Sequence, residues 1–336
     1  MRTRCTLWWA LVLLMGLAVM GAGGPVLVGA AEITLRAGHD QPAKSMYDEG
    51  HQYLARKLAE RTNGRVQVQV FPAAQLGSEV AMIEGLRLGS IDIIVAHVAN
   101  TATVVPELAL FSVSYLFKDR DHFERVIGNP KFQQRISQIV EGKDLGIKVL
   151  GFYSAGVRNV YERKGPVRTP EDLKGMKLRV MNNPVEAKVW KTFGAIPTPM
   201  NFGEVYSSLQ AGVIDGAENS PSVVESNKHY EAAPYLIMTE HQRSLSVLMM
   251  NENRLKTLPA DIQKILLDTA KEAAEFERKR DAELNAEAIE RMKAKGAKVI
   301  EPDRAKFATL IRPIQDEVAR DFKVEDVLAI IRAAAN

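Results

Sequence analysis

The sequence predicts an α/β protein of two related lobes, with mostly parallel sheets and one long helix lying across both. Three observations carry this reading. From Glu32 onward, short alternating or β-branched runs are interleaved with helical patterns, as expected when strands and helices alternate along the chain. The pattern L-x-x-G-x-I-D occurs twice, at Leu86–Asp92 and Leu209–Asp215, each time closing a helical stretch and opening a strand. Its glycine supplies a left-handed helix end and its isoleucine enters a buried strand, so the echo suggests two lobes of similar build. Third, Pro259 to Lys295 stays helical in character throughout, apolar on one face at first (Ile262, Leu266, Ala270, Ala273) and then highly charged. Ordinary globular helices are shorter, so this stretch reads as a rod across the lobes or as two helices broken near Lys279.

The elements follow in order. A strand at Ile33–Ala37 precedes a helix near Met46–Arg61, and Val66–Phe71 is a strand of strict alternation. A helix near Glu79–Leu88 leads to a strand at Ile91–Ala96, then to helices between Arg120 and Val140 and a strand at Ile147–Phe152. In Thr169-Pro170-Glu171-Asp172-Leu173-Lys174-Gly175, threonine caps, proline takes the first helical position and glycine stops the turn. The strand Lys177–Val180 comes next.

The first 31 residues carry two arginines, an apolar run from Leu7 to Met20 and a small-residue stretch ending in Ala30-Ala31. This is the layout of a secretory signal peptide cleaved after Ala30 or Ala31. An uncleaved anchor is the rival, disfavoured by Gly21, Gly23, Gly24 and Pro25. The expected product is a soluble periplasmic protein. Lys and Arg number 44 against 41 Asp and Glu, and loss of Arg2 and Arg4 with the leader lowers the balance from +3 to +1. Such near-neutrality gives no support to nucleic-acid binding. The single cysteine, Cys5, leaves with the leader, which excludes disulfides, thiolate metal sites and thiol catalysis from the mature chain.

No G-x-S-x-G, H-E-x-x-H, P-loop or strand-linked G-x-G-x-x-G is present after the leader, and the six histidines lack metal-ligand spacing. No metal and no cofactor are therefore expected. The polar groups that stand out lie at strand ends. Alternation along Met176–Met181 sends Leu178 and Val180 to one face and Lys177 and Arg179 to the other. Arg179 then reads either as a planar fork for a carboxylate in a cleft or as part of a solvated strand face. Arg158 reads either as a second site arginine or as a surface ion pair. Asn219 sits where a strand ends and a Ser-Pro helix start begins, a usual ligand position in α/β folds and equally a turn or cap.

Several motifs in order across the mature chain carry a resemblance: Phe71-Pro72-Ala73-Ala74-Gln75-Leu76-Gly77, Asp172–Val180, Gly194–Met200, Glu204–Gln210 and Val213–Asn219. With them, the chain from about Glu32 to its end resembles the periplasmic solute-binding subunits of TRAP transporters, the DctP type. The resemblance implies a two-lobed periplasmic binding protein fold, with lobe I formed by residues 32–155 and 245–284 and lobe II by 156–244 and 285–336. It implies a monomeric receptor that closes on an organic acid and delivers it to the small and large membrane subunits of the transporter. Residue by residue, it assigns the bidentate carboxylate contact to Arg179 and further ligand contacts to Arg158, Asn219, Asn182 and Phe202. From the other lobe it assigns Glu79 and His97. Sialate-binding members have glutamate where this chain has His97, and Met46 stands in place of their early asparagine. The segment His39-Asp40-Gln41-Pro42 resembles members that take small dicarboxylates or sugar acids, and that is the ligand class implied here.

Two other functions compete. An extracytoplasmic enzyme acting on sugar acids would use Arg179 as a clamp and His97 as its acid or base. A ligand-binding adaptor for a sensor protein would need the same cleft without the transporter.

Overall fold

The computed structural model describes residues 32–335, so the expected signal peptide and Cys5 lie outside the described residues. Nine strands are present: β1 (Ile33–Gly38), β2 (Val66–Phe71), β3 (Ile93–His97), β4 (Ile147–Glu162), β5 (Lys177–Val180), β6 (Ile196–Pro199), β7 (Gly216–Asn219), β8 (Tyr235–Asn251) and β9 (Lys298–Ile300). The helices before β5 are α1 (Met46–Arg61), α2 (Glu79–Arg87), α3 (Val98–Thr101), α4 (Arg120–Ile127) and α5 (Pro130–Glu141). After β5 come α6 (Pro184–Thr192), α7 (Val205–Ala211), α8 (Pro221–Ser226), α9 (His229–Ala232) and α10 (Glu252–Thr257). The chain finishes with α11 (Ala260–Ala294), α12 (Arg304–Asp321) and α13 (Glu325–Ala333).

All nine strands join one sheet of order β2-β1-β3-β8-β4-β7-β5-β6, with β9 on β8. Five of its eight pairings are parallel, in keeping with the expectation of mostly parallel strands, but they belong to one sheet with an antiparallel centre. β1, β2 and β3 are mutually parallel, as are β5, β6 and β7, but β8 runs antiparallel to β3 and β4 runs antiparallel to both β7 and β8. The centre is thus an antiparallel ribbon of two long strands shared by both halves. β4 is longer than its sequence suggests, and β8 is absent from the sequence reading. Six consecutive polar residues, Thr239–Ser244, occupy the middle of β8, so neither alternation nor an apolar run marks it. Register shifts on β4 at Ser154/Val157 and Arg158/Val160 bend the ribbon where it passes between the halves.

The repeated L-x-x-G-x-I-D pattern is a structural joint used twice. Gly89 and Gly212 have φ of 76° and 74°, the left-handed turn that ends each helix. Asp92 Oδ2 accepts the backbone N–H of Arg36 at 2.7 Å, while the Asp92 N–H donates to the Arg36 carbonyl at 3.1 Å. Asp215 does the same with Lys177, at 2.9 and 2.8 Å. Each aspartate therefore pins the incoming strand to its neighbour, and this accounts for the echo without any role in ligand binding.

Helix α11 runs unbroken for 35 residues, which settles the choice between one rod and two helices. Its first half supplies Ile262, Leu266, Ala270 and Ala273 to the core under β1, β3 and β8, together with Leu54 and Leu58 of α1. Its last turns supply Met292 to a separate core with Tyr161, Val205, Leu209 and Ile214. One helix thus braces two hydrophobic cores. Its charged outer face is solvated, with pairs such as Arg291–Glu287 that contribute little individually.

Candidate functional site

Parallel strands of α/β halves present their carboxyl ends to ligands, and here the two sets of ends face one cleft. After β1 come Asp40, Gln41 and Met46; the loop after β2 brings Ala73, Ala74 and Glu79; β3 ends at His97, with Asn100 beyond it. The opposite wall carries Arg179 on β5 and Asn182 just after it, Asn201 and Phe202 after β6, and Asn219 at the end of β7. Arg158 and Ala155 of β4 form the floor. The cleft has an outer chamber of about 400 Å³ and an adjoining inner recess of about 30 Å³. Two direct hydrogen bonds cross it: Asn183 Nδ2 donates to the Ala99 carbonyl at 3.0 Å and Asn227 Nδ2 to Gln41 Oε1 at 3.4 Å.

Arg179 is 3% exposed, so the solvated-strand reading is overturned. Its Nε and Nη2 donate to the Met200 carbonyl at 3.1 and 2.8 Å. That backbone oxygen fixes one edge of the guanidinium and leaves the Nη1/Nη2 end free. The Phe202 ring lies 6.0 Å away on its flank. Among the described residues, no carboxylate comes within ion-pairing distance of Arg179. A guanidinium removed from water without a counter-ion is costly, unless an anion enters the cleft.

Arg158 is an ion pair, as one sequence reading had it, but a buried one. Its Nε and Nη2 donate to the Glu218 carboxylate, Nη2 also to the Glu218 carbonyl at 2.8 Å, and Nη1 to Asn219 Oδ1 at 3.0 Å. One Nη1 hydrogen is left for a ligand. Asn219 Oδ1 also accepts the Ser220 N–H at 2.9 Å, which fixes its amide at the site wall; the cap position of the next helix belongs to Ser220. His241 Nε2 donates to Glu218 at 3.2 Å. Burial pushes the Glu218 carboxyl up, but Arg158 and His241 outweigh it and hold the group below the usual range. Beside them Glu186 is buried without a hydrogen-bond partner among the described residues. Burial, then the Glu218 charge, raise it to about 8, so Glu186 is neutral and the cluster as a whole carries no net charge.

Glu79 opens α2 behind its Ser78 cap. Its carboxyl accepts the His97 backbone N–H at 3.2 Å and Asn100 Nδ2 at 2.6 Å. Burial and the Asp40 charge raise it to about 8, and burial likewise raises Asp40. His97 receives the Ala99 N–H on Nδ1 at 3.0 Å, so its proton lies on Nε2, which donates to Ser244 Oγ at 2.5 Å. Both ring nitrogens are committed and burial holds the ring neutral, which takes away the acid or base that the enzyme reading assigned to His97. All seven residues singled out from the sequence therefore line the cleft. Asn100, Asn201, Tyr206, Asn227 and His229 line it too and were not singled out. Asn100 and Asn201 follow strand ends and were open to that argument. Asn227 and His229 follow a short helix, and no local pattern marks them.

The buried charges give a pH signature. The carboxyls of Asp40, Glu79, Glu186, Glu277 and Asp281 are all raised, chiefly by burial, Asp281 to about 6. The imidazoles of His51, His97, His229 and His241 are lowered by burial, His51 and His229 to about 3. Between the ordinary carboxyl and histidine values the two sets oppose each other. The folded carboxyls keep protons that the unfolded chain releases, whereas the unfolded histidines take up protons that the folded ones refuse. Only above about pH 7.5, one unit beyond the ordinary histidine value, is the histidine contribution complete, while Glu79 and Glu186 lose their protons around pH 8. Stability of the ligand-free protein should thus fall from about pH 7.5 to 8.5, by up to about 1.4 kcal/mol per pH unit per group. Urea midpoints at the two pH values test this, and a rise with pH would contradict it.

With this geometry established, comparison with known proteins decides the family. Residues 37–321 match the DctP family, described as bacterial extracellular solute-binding protein, family 7. The chain belongs to the DctP family of TRAP periplasmic solute-binding proteins. Among curated DctP relatives, the 2,3-diketo-L-gulonate-binding periplasmic protein YiaO of Escherichia coli is 36% identical over 271 residues, 80% of each chain. A TRAP periplasmic solute-binding protein from Sulfitobacter sp. NAS-14.1, solved with bound β-D-galacturonate, superposes with a TM-score of 0.84 at 30% identity, covering 89% of this chain and 99% of that one. The sugar acid binding protein DctPAm from Advenella mimigardefordensis, solved with galactonate, gives 0.86 at 26% identity, covering 91% and 100%. The DctP family comprises solute-binding proteins rather than enzymes, in agreement with the committed nitrogens of His97.

Proposed function

We propose that this chain is the extracytoplasmic receptor for a sugar acid of hexuronate or aldonate type, which it passes to the small and large membrane subunits of a TRAP transporter. The observation that carries the proposal is the buried Arg179 guanidinium, free at its Nη1/Nη2 end and without a protein counter-ion. A carboxylate docked there would form two parallel charge-assisted bonds, with the last Nη1 hydrogen of Arg158 and the amide of Asn219 near its second oxygen. His97, Asn182, Phe202 and Glu79 complete the wall. Asp40 and Glu79 favour a sugar acid over a C4-dicarboxylate. Hydroxyls can hydrogen-bond to both carboxyls, whereas a second ligand carboxylate facing them would be buried without a counter-ion. The galacturonate, galactonate and diketogulonate of the relatives fit this chemistry. The N-terminal leader, residues 1–30, would direct the chain to the periplasm.

Calorimetric titration with D-galacturonate, D-galactonate, succinate and L-malate tests the reading. The sugar acids should bind at least about 100-fold more tightly than either dicarboxylate, a difference of roughly 2.7 kcal/mol. Equal or tighter binding of succinate would overturn it.

A further inference from the structure

A second cavity, of about 190 Å³, opens beside the bend in β4. Ala155 faces the ligand cleft, whereas its neighbours Ser154 and Gly156 face this second space. The two cavities therefore lie on opposite faces of one strand, at the point where it crosses between the halves. The second one is walled by α4, by the β4–β8 ribbon and by the middle of α11, and three guanidinium groups reach it: Arg120, Arg243 and Arg278.

Only one of the three has close hydrogen-bond partners. Arg278 donates Nε to Glu124 at 3.1 Å and Nη1 to the Phe152 carbonyl at 2.8 Å. The Arg243 side chain is 16% exposed, and its only ion-pair partner among the described residues is Glu240, at 3.7 Å. Burial pushes Arg243 below its ordinary value; Glu240 and Asp119 oppose the shift, and the charges of Arg120 and Arg304 add to it. Arg120 has neither a hydrogen bond nor an ion pair from its side chain among the described residues. Two cations thus line one cavity and repel each other, Arg243 largely buried and Arg120 exposed at the mouth. The carboxyls on the wall relieve them only in part. Glu124 is held by Arg278, and Asp281 accepts the Ser154 hydroxyl and the Asn285 amide, each at 2.8 Å.

We propose that this cavity is a binding site for a small tetrahedral oxyanion, phosphate or sulfate, held between Arg120 and Arg243. Its volume equals the liquid share of about six waters, enough for such an ion with part of its hydration shell. Guanidinium forks are well matched to this chemistry. The site is distinct from the sugar-acid cleft and does not depend on the reading of that cleft.

Calorimetric titration of the protein with sodium sulfate, in sodium chloride buffer of matched ionic strength, tests the proposal. One saturating site is expected, weakened at least about tenfold by Arg120→Gln, whose exposed side chain can be changed without disturbing the core, and also weakened by Arg243→Gln. The same site should persist in Arg179→Ala, since the ligand cleft takes no part in it. Absence of a saturating heat, loss of the site in Arg179→Ala, or unchanged binding in Arg120→Gln would each overturn the proposal. Phosphate in place of sulfate should give the same pattern, and sulfate binding that survives both arginine substitutions would place the ion elsewhere.

Discussion

Arg179→Ala is expected to weaken sugar-acid binding by about 3 kcal/mol or more, over 100-fold in Kd, because truncating one partner of a buried charge pair leaves the other unpaired. Arg179→Lys should recover little of this. A lysine ammonium cannot donate to Met200 and fork a carboxylate at once, since its three hydrogens radiate from one nitrogen. In the wild type, two donors to the Met200 carbonyl fix the guanidinium plane and leave the opposite end for the ligand. Calorimetry on folded variants decides between clamp and general attraction: near wild-type affinity in Arg179→Lys would show that charge alone suffices.

The second large effect concerns stability. Glu218→Gln removes the carboxylate that neutralises Arg158 in a position with almost no solvent exposure, and breaking such a buried pair costs roughly 3–5 kcal/mol. Glu186→Gln should be close to neutral, because the Glu186 carboxyl, raised to about 8, is already uncharged at pH 7. Combined, the two changes should cost more than their sum. Once Glu218 is gone, Glu186 is the nearby carboxyl able to ionise against Arg158, and the second substitution takes that relief away. Denaturant titrations of the three variants would show it. A loss below about 1 kcal/mol for Glu218→Gln, or equal losses for the two single variants, would contradict the assigned charge states.

Elements governed by local pattern were legible in the sequence. The helix Met46–Arg61 and the helical character of Pro259–Lys295 follow from apolar spacing, though not the choice between one rod and two helices, and the glycine ends at Gly89 and Gly212 follow from their place after a helix. Pairing across the sheet was not legible. β8 carries its polar middle because that stretch faces buried partners of both halves: Ser244 meets His97, Thr239 meets Val160 and His241 meets Glu218. A hydropathy pattern treats those residues as surface.

The site divides along the same line. Alternation placed Arg179 off the core face of its strand, but whether that face meets water or a cleft depends on β6 and on the Met200 carbonyl. Arg158 was equally visible. Its pairing with Glu218, 60 residues away, and the uncharged Glu186 behind it depend on tertiary contacts that no local spacing encodes. The motif order identified the family, while the burial of Arg179 without a counter-ion, and with it the argument for an anion in the cleft, came only from the assembled structure.

The most direct measurement is a crystal structure of the protein grown with D-galacturonate. The account predicts the ligand carboxylate on the Nη1/Nη2 end of Arg179, within about 3 Å of both nitrogens, and the sugar hydroxyls turned toward Asp40 and Glu79. A ligand bound with its carboxylate away from Arg179, or with its hydroxyls on the arginine and its acid group against Asp40, would contradict it.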